Sequence, residues 1–147
     1  MYRERIRATP LWKKGDIAAP RYDCVLINKD ASLSGFRGML IARVRLLFSF
    51  TFNETEYPCA LVEWFEAIAD ELDVNTGLWM VRPELNNHGR KSISVIHLDC
   101  VLRGAHLLPV FNDVRIPHSL HYSKTVDAFR AFYVNKYIDH HAFEILS

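Results

Sequence analysis

The segment Met39–Phe52 constrains this chain most. Ile41, Val44, Leu46, Phe48 and Phe50 are apolar, and Arg43 and Arg45 alternate with Ala42, Val44 and Leu46. Side chains of a strand alternate between two faces, so this pattern predicts a strand. Its β-branched and aromatic residues suit a pleated surface. A polar turn, Asn53-Glu54-Thr55-Glu56, follows, and then a second such run, Tyr57–Phe65. Two β-rich runs with so short a link predict an antiparallel hairpin of Met39–Thr51 with Tyr57–Phe65.

The flanking sequence reads in the same way. Ile17–Ile27 is expected as a first strand interrupted at Pro20, and Asn28–Arg37 as a loop. Glu66–Asn75 is ambiguous, because Phe65, Ile68, Ala69 and Leu72 have helical spacing in a short acidic stretch. Leu78–Val81, Ser92–Leu98 and His106–Phe111 read as strands, with loops at Asn86–Gly89 and Asn112–Ser123 and a short apolar bridge at Asp99–Arg103. Thr125–Phe129 is expected as a helical turn, Phe132–Val134 as a strand and Asp139–Leu146 as a terminal helix. The alternative is one helix from Val126 to Leu146, which the β-formers Phe132, Tyr133 and Val134 resist. The expected fold is mainly β, a β-rich α+β chain. Its small twisted antiparallel sheet curls into a partly open barrel, with a short C-terminal helix.

A chain of 147 residues, 50% hydrophobic and 24% charged, is one domain's worth and buries enough surface to fold without a metal or disulfide staple. Its longest uncharged stretches fall well short of the roughly 20 apolar residues of a membrane span, so no membrane partner is expected. The N-terminus lacks the apolar segment of a secretory signal, and the cysteines, Cys24, Cys59 and Cys100, are odd in number. Together these predict an intracellular protein with reduced, buried, inert thiols.

Charge is unevenly placed. Residues 1–14 hold Arg3, Arg5, Arg7, Lys13 and Lys14 against Glu4, a balance of +4. The segment 52–75 holds Glu54, Glu56, Glu63, Glu66, Asp70, Glu71 and Asp73 and no Lys or Arg, a balance of −7. The sequence thus divides into a basic N-terminal arm, 1–14, and a single body, 15–147, with one acidic lobe.

Chemistry-bearing motifs are sparse. His97 and Cys100 do not have the spacing of a zinc pair, and His140 and His141 diverge on a helix, so no metal or cofactor is expected. No recognised local motif surrounds a cysteine, which leaves a small Cys/His enzyme as a minor alternative to a non-catalytic chain. Gly35-Phe-Arg-Gly38 is a weak phosphate-loop signal. The aromatics beside the acidic lobe are more informative. Trp64, Phe65 and Trp79, with Glu63 or Glu66, form a candidate surface for a basic or methyl-lysine peptide, since π faces and carboxylates both attract a cation. The alternative partner is DNA. Arg3, Arg5, Arg7, Lys13, Lys14, Arg37, Arg90 and Lys91 would make weak, salt-sensitive, sequence-independent contacts.

Two resemblances follow from segment order. Gly15-Asp16-Ile17, Leu40-Ile41-Ala42-Arg43-Val44, Glu63-Trp64-Phe65, Val81-Arg82-Pro83-Glu84 and the bridge Ile96–Leu107 together resemble the bromo-adjacent homology (BAH) domain. That family runs its Trp-Phe and Arg-Pro-Glu motifs nearly together, whereas here Glu66–Val81 separates them. The resemblance spans Gly15–Val134 and implies a chromatin- or protein-interaction barrel in the nucleus, with a histone-tail peptide as the expected partner. Cys59–Phe65, Asn75–Trp79, Ser94–Asp99, Arg103–Pro109 and Phe129–Ile145 are similar to the C-terminal region of proteins encoded by fungal DNA transposons. The acidic triad of the transposase core is not in this sequence, so this resemblance implies an accessory domain working near DNA or chromatin, without DNA cleavage.

Overall fold

The computed structural model describes residues 4–30, 32–33, 35–110 and 130–147. Ten strands lie among them: β1 (Ala8–Lys14), β2 (Ile17–Tyr22), β3 (Cys24–Asn28), β4 (Met39–Phe52), β5 (Thr55–Ala67), β6 (Met80–Pro83), β7 (Ile93–His97), β8 (Val101–Ala105), β9 (Leu107–Pro109) and β10 (Phe132–Val134). A short 3₁₀ turn, Gly35–Gly38, precedes β4, a second, Leu98–Cys100, precedes β8, and one helix, α1 (His140–Leu146), ends the chain.

The expected hairpin forms. β4 and β5 pair antiparallel from Ile41↔Phe65 to Phe52↔Thr55. The turn is tighter than the sequence suggested, because only Asn53 and Glu54 lie outside the strands. Both take left-handed φ values, 48° and 64°, as the twist of a two-residue hairpin loop requires. A bulge interrupts the register between Val44 and Leu46. The extra residue shifts the parity of everything beyond it. Ile41 therefore shares a face with Leu46, Phe48 and Phe50, although one number is odd and the others are even.

β5 is longer than any single partner on its other edge. Its end, Phe65–Ala67, pairs with β6, and its middle, Cys59–Glu63, pairs with β7. The sheet runs β8-β3-β4-β5-β6-β10-β9, with β7 beside β5. Its two terminal strands, β8 and β9, follow one another in the chain with only His106 between them. The mainly antiparallel sheet is thus curled almost into a barrel.

Both faces of the central strands are covered. On one, Leu26, Ile41, Phe65, Val81, Phe132 and Val134 pack with Ala142 and Leu146 of α1. On the other, Val25, Ile27, Ala42, Val44, Ala60 and Val62 pack under Ile6, Ala8 and Trp64. This double burial explains the unbroken apolar run Val25-Leu26-Ile27. It also draws in the segment read as an arm. From Glu4 onward that segment is tied down: Glu4 Oε2 accepts the Gly104 N–H at 3.0 Å, Asp23 accepts the Arg7 N–H at 2.8 Å, and β1 pairs with β2.

Two expectations need correction, the strand Ile17–Ile27 and the burial of Cys100, and two open readings are decided, the segment Glu66–Asn75 and the choice between one helix and a strand with a helix after Val126. The Ile17–Ile27 strand breaks at Asp23, not at Pro20, and its halves join different sheets. Residues 68–77 form turns rather than a helix, because Ile68 N–H donates to Met80 O and Asp73 N–H to Leu78 O. The single helix 126–146 is excluded by β10, which pairs with both β6 and β9. Cys100 is exposed, while Cys24 and Cys59 are buried. The expected loop Asn112–Ser123 and helical turn Thr125–Phe129 lie outside the described residues. No helix among the described residues is long and apolar enough to cross a membrane.

Two substitutions test this packing. Val44 is 1% exposed, so Val44→Asp buries an unpaired charge and lowers stability by roughly 3 kcal/mol or more in urea unfolding. An unchanged unfolding midpoint would place Val44 at the surface. Glu54→Gly relieves a left-handed non-glycine residue and raises stability by about 0.5 kcal/mol or more. A fall in melting temperature would count against this turn geometry.

Candidate functional site

A cleft of about 540 Å³ opens where the 3₁₀ turn Gly35–Gly38 meets the start of β4, the end of β5 and the approach to β6. Each element contributes for a local reason. Gly35 takes a φ of +69°, and a Cβ there would strike the carbonyl oxygen of Ser147, so the turn requires glycine. That turn drops Phe36 into the core and leaves Arg37 exposed. Phe36 stacks on Trp79, with ring centroids 4.8 Å apart and planes 23° apart. Phe65 meets Phe132 edge to face at 6.0 Å. Phe36, Phe65 and Trp79, with Ile41 and Val81, form the apolar part of the cleft.

The polar part has mixed charge. Glu66, Asp70 and Glu84 line it, as do Lys29 and Arg37. Arg82 Nε donates to Glu66 Oε1 at 2.8 Å. Arg37 is held lightly: its guanidinium carbon lies 6.0 Å from the Trp79 ring centroid, and Nη2 is 3.4 Å from the Asp70 carbonyl oxygen. Arg37 therefore already sits as a cation over the aromatic ring, in weak contacts. The loop that carries Asp70 is shaped by Asp73, whose Oδ2 accepts from both the N–H and the hydroxyl of Thr76 at 2.9 Å.

The predicted peptide-binding residues divide. Phe65, Glu66 and Trp79 line the cleft, whereas Glu63 and Trp64 do not. Consecutive strand residues face opposite ways, so Trp64 packs on the other side of the sheet from Phe65 and donates its Nε1–H to Ser94 Oγ at 2.9 Å. Glu63 is drawn to Arg45 and Lys91, each at 3.6 Å. A cage that uses both tryptophans is excluded by this geometry. The 9% exposure of Trp79 also leaves little of its ring open. The peptide-site reading had not included Phe36, Asp70 and Glu84. Phe36 had a signal, as the one large apolar residue between the two glycines of a polar segment.

The predicted nucleic-acid residues also separate. Arg7, Lys13 and Lys14 belong to β1 and its lead-in, and Arg37 sits at the cleft. Arg90 and Lys91 lie in the excursion between β6 and β7, closed by the Leu85↔Lys91 bridge. Arg5 is exposed, and Arg3 lies outside the described residues.

A second cleft, of about 270 Å³, is lined by both Cys24 and His106. Burial pushes the Cys24 thiol up to about 12, only partly countered by Arg43, so it stays protonated at neutral pH. An activated cysteine nucleophile needs the opposite shift. The His106 Nδ1 is 3.0 Å from Asn135 Nδ2. Among the described residues, no group of three or more His, Cys, Asp or Glu side chains is placed to hold a metal ion.

One ion pair holds α1 in place. Arg103, 8% exposed, forms a two-pronged pair with Asp139, Nη1 to Oδ1 and Nη2 to Oδ2, each at 2.8 Å. Asp139 Oδ1 also accepts the Ala142 N–H at 2.8 Å and so caps α1. The Arg103 hydrogen bonds, followed by the Ala142 N–H, hold the Asp139 carboxyl well below the usual carboxylate range. No protein-family model, curated protein or solved structure matches this chain.

The sign of the Asp139 shift fixes a pH dependence. A folded-state pKa below the unfolded value contributes stability that is present above the ordinary carboxylate range, about 3.9, and is lost as pH falls towards the folded value. Asp139→Asn keeps a capping oxygen but loses the charge. It lowers the melting temperature at neutral pH, and the gap to the parent chain narrows as pH falls below about 4. A gap independent of pH would assign the loss to packing.

Proposed function

We propose that this chain is a non-catalytic protein-interaction module that takes a cationic side chain of a partner peptide into the cleft beside Trp79. The observation that carries this reading is the juxtaposition of Phe36, Phe65 and Trp79 with Glu66, Asp70 and Glu84 in one cleft. Aromatic rings and carboxylates both favour a cation there. Asp70, Glu71 and Asp73 of the adjoining loop add a negative field that steers a basic segment at low ionic strength. Arg37 is the internal competitor, because it occupies the same ring through long, displaceable contacts.

The resemblance of segment order to the BAH domain supports a chromatin protein, such as a histone tail, as the source of that peptide, and a nuclear location. The likeness to the C-terminal region of fungal transposon proteins supports an accessory role in a protein of transposon origin.

Titration with a lysine-rich, acid-free peptide, with and without one trimethyl-lysine, tests the reading through tryptophan fluorescence. Binding quenches the emission. Glu66→Gln with Glu84→Gln weakens affinity about three- to tenfold, in line with the roughly 0.5–1.5 kcal/mol such contacts contribute. Arg37→Ala tightens it. Circular dichroism verifies that each variant stays folded. Absence of binding at low salt, or binding indifferent to all three substitutions, removes the proposal.

A further inference from the structure

β1 and β2 form a two-stranded ribbon outside the main sheet. Its register decides which side chains share a face. Thr9 lies opposite Arg21 and Trp12 opposite Ala19, with a bulge between Thr9 and Trp12. Without that extra residue Trp12 would face away from Arg21. With it, the Arg21 guanidinium lies 4.6 Å from the Trp12 ring centroid, and that of Arg7 lies 5.8 Å away.

Two guanidinium groups thus rest on one indole. A stacked guanidinium is held in a defined plane and keeps N–H groups at its edges for an oxyanion. Asp23 opposes this charge at the base of the ribbon. Its Oδ1 accepts from Arg21 Nε at 3.0 Å and its Oδ2 from the Arg7 backbone N–H at 2.8 Å. That arrangement engages Nε of Arg21. Lys13 and Lys14 are exposed towards the turn, where Asp16 is the nearest acid in sequence. Arg5 to Gly15 contains no acidic residue.

We infer that the β1–β2 ribbon is a second binding surface, for the phosphate backbone of duplex DNA, with Arg7, Arg21 and Lys14, which lie on the Trp12 face, as its contacts. A seven-residue strand is about 20 Å long, and a two-stranded ribbon fits the roughly 12 Å major groove. Trp12 already carries two guanidinium groups, so it orients cations rather than offering a bare ring to an unpaired base. That selects duplex over single strand and predicts no base preference. The surface uses Trp12 and Arg21, which composition alone does not single out, and it is independent of the cleft beside Trp79.

Fluorescence anisotropy of the full chain with a labelled mixed-sequence duplex tests this. Three phosphate contacts predict a log–log salt slope of about −2.7, a loss of affinity of about fortyfold between about 50 and 200 mM salt. Lys14→Ala flattens the slope by about 1, and Lys13→Ala, on the opposite face, leaves it unchanged. Arg7→Lys with Arg21→Lys keeps the charge but loses the stacked plane, and so weakens binding with little change of slope. The inference is overturned by no binding at the lowest salt or by an unchanged slope in the Lys14→Ala variant. Equal or tighter binding to a single strand of the same length also overturns it, as does capture by anionic vesicles without any DNA binding. Because the cleft variants Glu66→Gln and Glu84→Gln lie outside the ribbon, their DNA affinity matches the parent, and a matching loss would place the DNA at the cleft instead.

Discussion

The hydrogen-bond ladder between β4 and β5 is the constraint on which the remaining strands depend. It fixes the position of every strand that joins it. On one side β4 offers Met39–Arg43 to β3, which in turn takes β8. On the other, β5 is too long for one partner and takes β6 and β7 end to end. β6 and β7 behave as one strand with an excursion between them, since Glu84 N–H donates to Trp64 O and Trp64 N–H to Ser92 O. Backbone groups buried along β5 would otherwise lack partners at the break. The bulge near Arg45 bends and twists the hairpin at its middle and so lets the sheet curl.

Curling has a consequence at the chain's end. A sheet that nearly closes leaves an open mouth, and α1 packs against it through Ala142 and Leu146. A seven-residue helix has little stability of its own, so it depends on its cap and on its docking. Asp139 supplies both, as the cap of Ala142 and the partner of Arg103 on β8. The cleft depends on this in turn. The turn that carries Phe36 and Arg37 lies so close to Ser147 that only glycine fits at position 35. The cleft thus depends on residues of three distant parts of the sequence.

Much of this was legible from local pattern. The β4–β5 hairpin, β10 and α1 each announce themselves through period two, β-branched and aromatic residues, or an acidic cap. What was not legible depended on partners far away in sequence. The break at Asp23 follows from its bonds to Arg7 and Arg21, which no window along Ile17–Ile27 contains. The helical spacing of Phe65, Ile68 and Leu72 lost to β5, which continues through Ala67 to pair with β6. The division of Trp64 from Phe65 was within reach, because adjacent residues of a strand cannot share a face. Grouping them by composition overrode that rule. Phe36 stands out as a large apolar residue in a polar segment, but its burial depends on what covers the turn, which no local window contains.

A net charge of +1 conceals the separation that makes two surfaces workable. A cationic peptide and a phosphate backbone demand opposite fields. Screening at physiological salt acts over about 8 Å, so a field is local to the element that carries it. The chain places seven carboxylates and no Lys or Arg between residues 52 and 75, two of them, Glu63 and Glu66, paired with cations of neighbouring strands and loops, and its acid-free basic run between 5 and 15. The first stretch comprises most of β5 and the loop beside the cleft. The second is β1, whose ribbon stands outside the sheet that β5 belongs to. Had Lys13 and Lys14 been spread along β5, they would have neutralised the field at the cleft and left the ribbon bare. Segregation by strand would let a nearly neutral chain present each of the two proposed ligands with a surface of the right sign.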